Sequence, residues 1–327
     1  MPPSYPSALV RRCLTAAATA AVVAGTLTAA TGPAQATGFN PLTYRWSSVG
    51  SRTVAGTDRG AIVLRRNGQI LASVNTLRTR QTVRVDGAAE AGVTDSRLGA
   101  SFGVSTSNLA TTRGILRHST VNTNSNPGMH AVYGASLVVE YCDITGAEDG
   151  IDPTGEASRP SLIQYNKIHR DGTTVGDAHS DGIQFWQRGH ATITRNWISG
   201  WSTSAILIKS DIGPISHISI RENYLANPTG WYVLYVLDGG KGRPTYVDIT
   251  GNKFGSTGRG GRGKAYPVMT GENGAAETKF VRTAAQRQTA VAAGNKSAAA
   301  WVVWSGNTWA DGPHAGQEIV PPGGWLR

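Results

Sequence analysis

A short motif recurs from about residue 113 onwards and constrains the fold more than any other feature of the chain. Each copy has alternating apolar residues, a small polar residue, one variable residue and a large apolar residue. The copies read ILRHSTV, VVEYCDI, LIQYNKI, TITRNWI, ISIRENYL, DITGNKF and VWSGNTW. The small polar positions are Ser119, Cys142, Asn166, Asn196, Asn223, Asn252 and Asn307, at intervals of 23, 24, 30, 27, 29 and 55 residues, the last being about two repeats. Self-similarity at this period predicts a stacked repeat architecture.

The alternation within each copy predicts β-strands, because alternate residues of a strand point to opposite faces. A helical repeat is disfavoured by the Gly, Asn and β-branched content. Two columns are expected to face inward: Leu116, Val139, Ile163, Ile193, Ile220, Ile249 and Trp304, and then Val121, Ile144, Ile168, Ile198, Leu225, Phe254 and Trp309. The residues between the first of these columns and the asparagine positions are expected to face outward: Arg117, Glu140, Gln164, Thr194, Arg221 and Thr250.

The five asparagines of the repeat fall in register if each copy forms one coil of a solenoid. Coils would then stack at the strand spacing of about 4.8 Å, and the side-chain amides can pass hydrogen bonds from coil to coil at a buried turn. The first open coil of such a stack needs a cover. Residues 37–112, with short apolar runs divided by Gly and Arg, are the candidate for an N-terminal cap and the first coils.

Stacked coils with aligned asparagines resemble the right-handed parallel β-helix of the pectate-lyase-like superfamily. The segments ITGAEDGI, GDAHSDGIQ, SAILIKSD, GWYVLYVLDGG and SGNTWADG resemble secreted bacterial β-helix proteins over roughly residues 113–312. The resemblance implies an all-β fold: a single-domain right-handed parallel β-helix (solenoid) with an asparagine ladder. The superfamily includes lyases, hydrolases, epimerases, esterases and binding proteins, so the fold alone decides no reaction.

The N-terminus has the three parts of a secretory signal peptide. Arg11 and Arg12 precede an apolar run from residue 14 to 30, and TGPAQA offers a cleavage site after Ala36. The run is too short and alanine-rich for a membrane anchor. We therefore expect residues 1–36 to be removed, residues 113–327 to hold the repeats and the C-terminal end, and the product to be an extracellular monomer with no membrane attachment.

Charge indicates which classes of binding partner are favoured, and cysteine content indicates what to expect of the thiol. With 31 Lys and Arg against 21 Asp and Glu, the chain carries a formal charge of +10, which favours an acidic polysaccharide partner. The alternative is that this charge only keeps the protein soluble. Nucleic acid is disfavoured because the basic residues are scattered along an exported chain. Cys142 is the one cysteine beyond the signal peptide, so we expect a buried, inert thiol rather than a nucleophile.

The stretch DAHSDGIQFWQ (177–187) gathers two acids, His, Gln and Trp where one repeat carries extra chain. A second strand of each coil follows the same alternation in GMHAV (128–132), GIDPT (150–154), GIQFW (182–186), AILIK (205–209) and YVLYV (232–236). The positions expected to point inward are Met129, Ile151, Ile183 and Ile206. Two outward rows are expected: His130, Asp152, Gln184 and Leu207, and then Val132, Thr154, Trp186, Lys209 and Tyr235.

Enzymes that this chain resembles act on the outer face of one such sheet, which implies a groove here. We expect the groove to bind substrate through Asp152, Gln184, Trp186, Tyr235 and His130, with Trp186 or Trp201 stacking on a sugar ring. In the favoured reaction, β-elimination on a uronate, His179 or Lys209 acts as base, and Asp181 is the third catalytic candidate. The only cofactor suggested is Ca²⁺, bound by Asp149, Asp152 and Asp181.

Two alternatives remain open. A glycoside hydrolase would use Asp149 and Asp181 as its carboxyl pair, since they occupy equivalent places on adjacent coils. The chain lacks the adjacent Asp pair and the Gly-His-Gly of polygalacturonase-type hydrolases, and it also lacks the calcium-site run of the best-known pectate lyases. The other alternative is a glycan- or wall-binding solenoid without catalysis, in which the two acids only form side-chain-to-backbone turns.

Overall fold

The computed structural model describes most of the chain from residue 62 onwards. All described residues fall within one compact unit, Asn40–Arg327. The predicted signal peptide (1–36) and most of the extra chain at 171–178 lie outside the described residues. The described ranges are 62–64, 68–71, 82–86, 90–104, 111–170, 179–228, 230, 232–257, 268–269 and 278–326.

Strands dominate the described residues. In the N-terminal part they are β1 (Ile62–Leu64), β2 (Gln69–Leu71), β3 (Val83–Val85), β4 (Ala91–Thr94), β5 (Arg97–Leu98), β6 (Phe102–Val104), β7 (Gly114–Arg117), β8 (Thr120–Ala135), β9 (Leu137–Glu140) and β10 (Asp143–Thr154). In the middle they are β11 (Ser161–Gln164), β12 (Lys167–His169), β13 (Asp181–Phe185), β14 (Arg188–Thr194), β15 (Trp197–Ser199), β16 (Ser204–Lys209), β17 (Ile215–Arg221), β18 (Tyr224–Asn227) and β19 (Leu234–Leu237). The remaining elements are β20 (Thr245–Thr250), β21 (Lys253–Thr257), β22 (Val268–Met269), β23 (Phe280–Val281), helix α1 (Ala284–Ala292), a 3₁₀ turn (Lys296–Ala300), β24 (Val302–Ser305), β25 (Thr308–Trp309) and a 3₁₀ turn (Gly312–His314).

The strands pair in parallel and in sequential order, which makes a parallel β-solenoid. Face 1 runs β7-β9-β11-β14-β17-β20-β24. The second sheet divides at the long strand β10: its first half leads into face 2 (β12-β15-β18-β21-β25), and its second half leads into face 3 (β13-β16-β19-β22). The predicted all-β parallel solenoid is confirmed at this level.

The core lies between the three faces and consists of the two predicted columns. Every member of the first column, from Leu116 to Trp304, is fully buried, and each pairs in register with the next. The second column is also buried from Val121 to Phe254 and ends in the partly buried Trp309. Burying one large aliphatic side chain contributes about 2 kcal/mol, so the stacked columns are the main source of stability.

Side-chain amides join the coils at the turn between face 1 and face 2. The Oδ1 atom of Asn196 accepts from both the backbone N and Nδ2 of Asn166, at 2.9 and 3.0 Å. Asn223, Asn252 and Asn307 repeat this arrangement, and each Nδ2 also donates to a backbone carbonyl such as Val139 O. We refer to these five buried residues, Asn166, Asn196, Asn223, Asn252 and Asn307, as the asparagine column.

Cys142 occupies the next place in the same turn. Its thiol is buried and contacts the Glu140 carbonyl at 3.2 Å, and burial raises its pKa to about 12. The predicted burial of this thiol is confirmed. Within the described part of the chain, no helix has both the length and the apolar character needed to cross a membrane.

Candidate active site

Face 3 places three of the predicted substrate-binding residues, Asp152, Gln184 and Tyr235, in its outer row. Ile151, Ile183 and Ile206 stand in register and are fully buried, as predicted. The outer row beside them is Asp152, Gln184, Leu207 and Tyr235. Tyr235 therefore extends the first outer row, and its predicted place in the second row is wrong.

The predicted register of β8 is also wrong. His130 lies opposite Asp149 rather than Asp152, and Val132 pairs with Ile151 and faces the core instead of the solvent. The cause is a pair of register shifts between β10 and β8: Thr145 pairs with Asn122 and Asp149 with His130, so β8 carries extra residues opposite this part of β10. A bulge of this kind re-aims side chains without changing the alternation that the sequence displays.

The displaced register assembles a cluster of one imidazole and three carboxyl groups. His130 Nδ1 lies 3.2 Å from Asp149 Oδ2, and His130 Nε2 lies 3.8 Å from Asp152 Oδ2. The backbone N–H of Asp181 donates to Asp149 Oδ1 at 2.9 Å. We call His130, Asp149, Asp152 and Asp181 the carboxyl cluster.

Burial of the carboxyl cluster changes its proton affinity. Asp181 is fully buried, and desolvation together with the charge of Asp149 raises its pKa well above the ordinary value. Burial, reinforced by Asp149 and opposed by His130, raises the pKa of Asp152 to about 6. Burial acts to lower the pKa of His130, but the hydrogen bond to Asp149 and the nearby charge of Asp152 outweigh it and raise that pKa. Of the three groups, Asp152 exchanges its proton at about pH 6.

One member of the site was missed from the sequence. The Ser204 hydroxyl donates to Asp181 Oδ1, and Ser204 pairs directly with Asp181 in the next coil. Asp181 Oδ2 is buried and has no hydrogen-bond partner among the described residues. Alignment of β13 with β16 was the signal that could have identified Ser204.

The remaining predicted residues lie apart from these contacts. His179 is exposed and forms no hydrogen bond or ion pair with a described residue. Lys209 pairs with Asp211 at 3.5 Å, and Trp186 is half-exposed at the end of β13. Gln184 is 4 % exposed, and its Oε1 lacks a partner among the described residues. Trp201 is fully buried, so the prediction that it stacks on a sugar is wrong.

The arrangement of the carboxyl cluster does not support the predicted calcium site. Among the described residues, no group of three or more His, Cys, Asp or Glu side chains is arranged to hold an ion. Asp149, Asp152 and Asp181, predicted as calcium ligands, therefore do not make up such a group. Asp149 Oδ1 is occupied by a backbone N–H, and the raised pKa of Asp181 favours its neutral form, which is a poor ligand for a hard cation.

In comparisons with protein-family models, curated proteins and solved structures, no match to this chain was found. Its class therefore follows from its own architecture: a parallel β-solenoid that carries a carboxyl and imidazole cluster on one outer face. The arrangement provides proton donors and acceptors beside a rigid sheet, which is a suitable support for acid–base chemistry.

Proposed function

We propose that the protein is a secreted carbohydrate-active enzyme that cleaves an acidic polysaccharide at the carboxyl cluster. The observation that carries the proposal is Asp152, a half-exposed carboxyl on face 3 whose pKa is raised to about 6. Perturbed carboxyls in such positions are typical of enzyme active sites. The proposal of export relies on the N-terminal sequence, and that of an acidic substrate on the charge of +10 and on Lys209 near the same face.

Hydrolysis fits the contacts better than the elimination favoured by the sequence. Elimination requires a cation to neutralise the substrate carboxylate, and the carboxyl cluster holds three acids and one imidazole. Lys209, the cation on this face, is paired with Asp211. In hydrolysis, by contrast, one protonated carboxyl and a second carboxyl are the groups required.

In this mechanism Asp152 acts as the general acid and donates its proton to the glycosidic oxygen as the bond to the leaving sugar breaks. Water then forms a bond to the anomeric carbon and gives a proton to the Asp152 carboxylate, which restores the acid. Asp149 has two tasks: its charge helps to keep the pKa of Asp152 high, and it stabilises the positive charge that develops on the sugar ring. His130, between the two acids, positions them. Asp181 is fully buried, and its backbone N–H holds the Asp149 carboxylate in position through a hydrogen bond.

The test measures two products from a panel of polyuronates. New reducing ends without ultraviolet absorbance indicate hydrolysis, whereas absorbance of unsaturated ends indicates elimination and would overturn the proposed chemistry. Formation of neither product, combined with binding, indicates a non-catalytic glycan-binding protein. Chelator should leave the hydrolytic rate unchanged, because Asp149 Oδ1 already accepts a backbone N–H and the raised pKa of Asp181 favours its neutral form.

The matched variants are Asp152→Asn and Asp238→Asn. Removal of a general acid lowers rates by about 10²- to 10⁴-fold, so Asp152→Asn should lose at least a hundredfold. Asp238 is exposed and only accepts hydrogen bonds from Gly240 and Gly242 in its own turn, so its variant should stay within twofold of the wild type. The wild-type rate should fall as the pH rises above about 6, because Asp152 then loses its proton.

A further inference from the structure

Face 2 carries an outward row of two aromatic rings between two lysines. Lys167, Trp197, Tyr224 and Lys253 pair in direct register on β12, β15, β18 and β21. Three strand spacings separate the two lysines, which is about 14 Å along the solenoid axis. We call these four residues the aromatic row.

The two rings form one continuous surface. The planes of Trp197 and Tyr224 lie within 5° of each other, with centroids 6.2 Å apart. The Lys167 ammonium lies 5.6 Å from the Trp197 ring centroid. Both rings are only partly buried, so part of each remains exposed to solvent. The corresponding outer row of face 1, next to the asparagine turn, is polar throughout: Arg117, Glu140, Gln164, Thr194, Arg221 and Thr250.

Small residues beside the row hold the rings in place. Ser199 and Ala226 follow two positions after Trp197 and Tyr224. A Cβ atom at Gly255 would lie 2.8 Å from the Tyr224 hydroxyl and 2.7 Å from Ala226 Cβ. The glycine therefore leaves the space in which the Tyr224 side chain rests. A pre-positioned ring loses little conformational freedom when a ligand binds.

The charges of the aromatic row favour an anion. Asp143, at one end, is paired with His169 at 2.7 Å, and Asp311 lies near Tyr224. Within the described part of the chain, no carboxylate lies within ion-pair distance of the Lys167 or Lys253 ammonium group. The two lysines can therefore bind carboxylates of a ligand while the rings pack against apolar faces of its sugars.

We infer that the aromatic row is a second, non-catalytic glycan-binding surface, which holds an acidic polysaccharide chain along the solenoid axis. It lies on a different face from the carboxyl cluster, so one protein can hold the polymer at face 2 and act on it at face 3. Binding at face 2 does not depend on whether face 3 is catalytic.

The test measures binding of the full chain to polygalacturonate coupled through its reducing end to a sensor surface. All proteins carry Asp152→Asn, so that cleavage does not alter the surface. The double variant Trp197→Ala/Tyr224→Ala should bind at least tenfold more weakly with no change in charge. Lys253→Gln should bind about threefold more weakly and with a shallower salt dependence, because one exposed cation is removed.

The controls separate binding from folding. Trp197→Phe keeps an aromatic ring, so its affinity should stay within threefold of the parent. His217→Ala removes an exposed ring elsewhere and Lys296→Gln an exposed lysine elsewhere, and the affinity of each should stay within twofold of the parent. Lys253 is exposed, so its variant reports on binding even if the double variant unfolds. Equal binding by the parent and the aromatic-row variants would overturn the inference, as would equal competition by neutral dextran. An inactive wild-type protein with row-dependent binding would contradict only the proposed hydrolysis.

Discussion

Removing one amide from the middle of the asparagine column should destabilise the solenoid. In Asn196→Ala the backbone N–H of Asn166 loses its acceptor, and the carbonyl of Ile163 loses its donor at 2.9 Å. Asn223 Oδ1 keeps the backbone N–H of residue 196, and Thr194 O keeps the N–H of Tyr165, so these acceptors remain partnered. Each buried group left without a partner costs about 1–3 kcal/mol. The Ile163 carbonyl keeps its place in the parallel ladder between β11 and β14, so the N–H of Asn166 is the orphaned group, and it predicts a loss of about 2 kcal/mol.

Urea denaturation of the wild type, Asn196→Ala and Thr192→Ala measures this loss. Thr192 lies on the same strand, half-buried on its outer side, and its variant should change the free energy of unfolding by less than about 0.5 kcal/mol. A loss below about 1 kcal/mol in Asn196→Ala would refute the reasoning, because water or a backbone shift would then be replacing the lost hydrogen bonds.

Three further predictions concern stability and reactivity. The pKa of Asp152 is about 6 in the folded protein, against an ordinary value of 3.8, so the native state binds more protons between these two pH values, and the free energy of unfolding should fall by about 3 kcal/mol as the pH rises from the lower to the higher. The raised pKa values of Asp181 and His130 act in the same direction. Urea midpoints measured across this pH range should fall less for Asp152→Asn than for the wild type. In a Cys13→Ser background, a thiol reagent should not label Cys142 until the protein is unfolded, and rapid labelling of the native protein would contradict its burial. Gly200→Ala should destabilise the protein by at least about 3 kcal/mol, because φ is +85° and the new Cβ would lie 1.7 Å from the Arg170 carbonyl oxygen. The control is Gly240→Ala, which has φ +98° but no atom within 4 Å of the new Cβ, and it should cost only about 1 kcal/mol. Thermal or urea unfolding measures both losses.

The sequence was sufficient to predict the solenoid and its core, because both depend on a repeated local pattern. Ile163 and Ile193 face inward in successive coils for the same reason, and alternation identifies them without any tertiary information. The inward positions on face 3 followed as well, since Ile183 and Ile206 belong to strands of regular register.

The contacts of the candidate site were less predictable because they depend on an irregularity. The register shifts between β8 and β10 bring His130 to Asp149, and no residue pattern in either strand predicts them. Depth was also hidden at one position: Gln184 stands on an outer position by alternation yet is 4 % exposed, whereas Asp181, two residues before Ile183, shares its inward parity and is fully buried. Trp201 was assigned to the surface because a lone aromatic near a loop gives no indication of the direction in which its side chain points.

The asparagine column affects where local unfolding of the solenoid begins. Stability in a stacked array depends on coupling between nearest neighbours, and here that coupling changes along the axis. From Asn166 to Asn307 each coil is tied to the next by a relay of amides, whereas Cys142 and Ser119 offer only a thiol and a hydroxyl at the equivalent places. A thiol is a weak donor and a weak acceptor. We therefore expect native-state hydrogen exchange to show the lowest protection around residues 114–144, with local unfolding starting there and advancing toward the amide-linked coils.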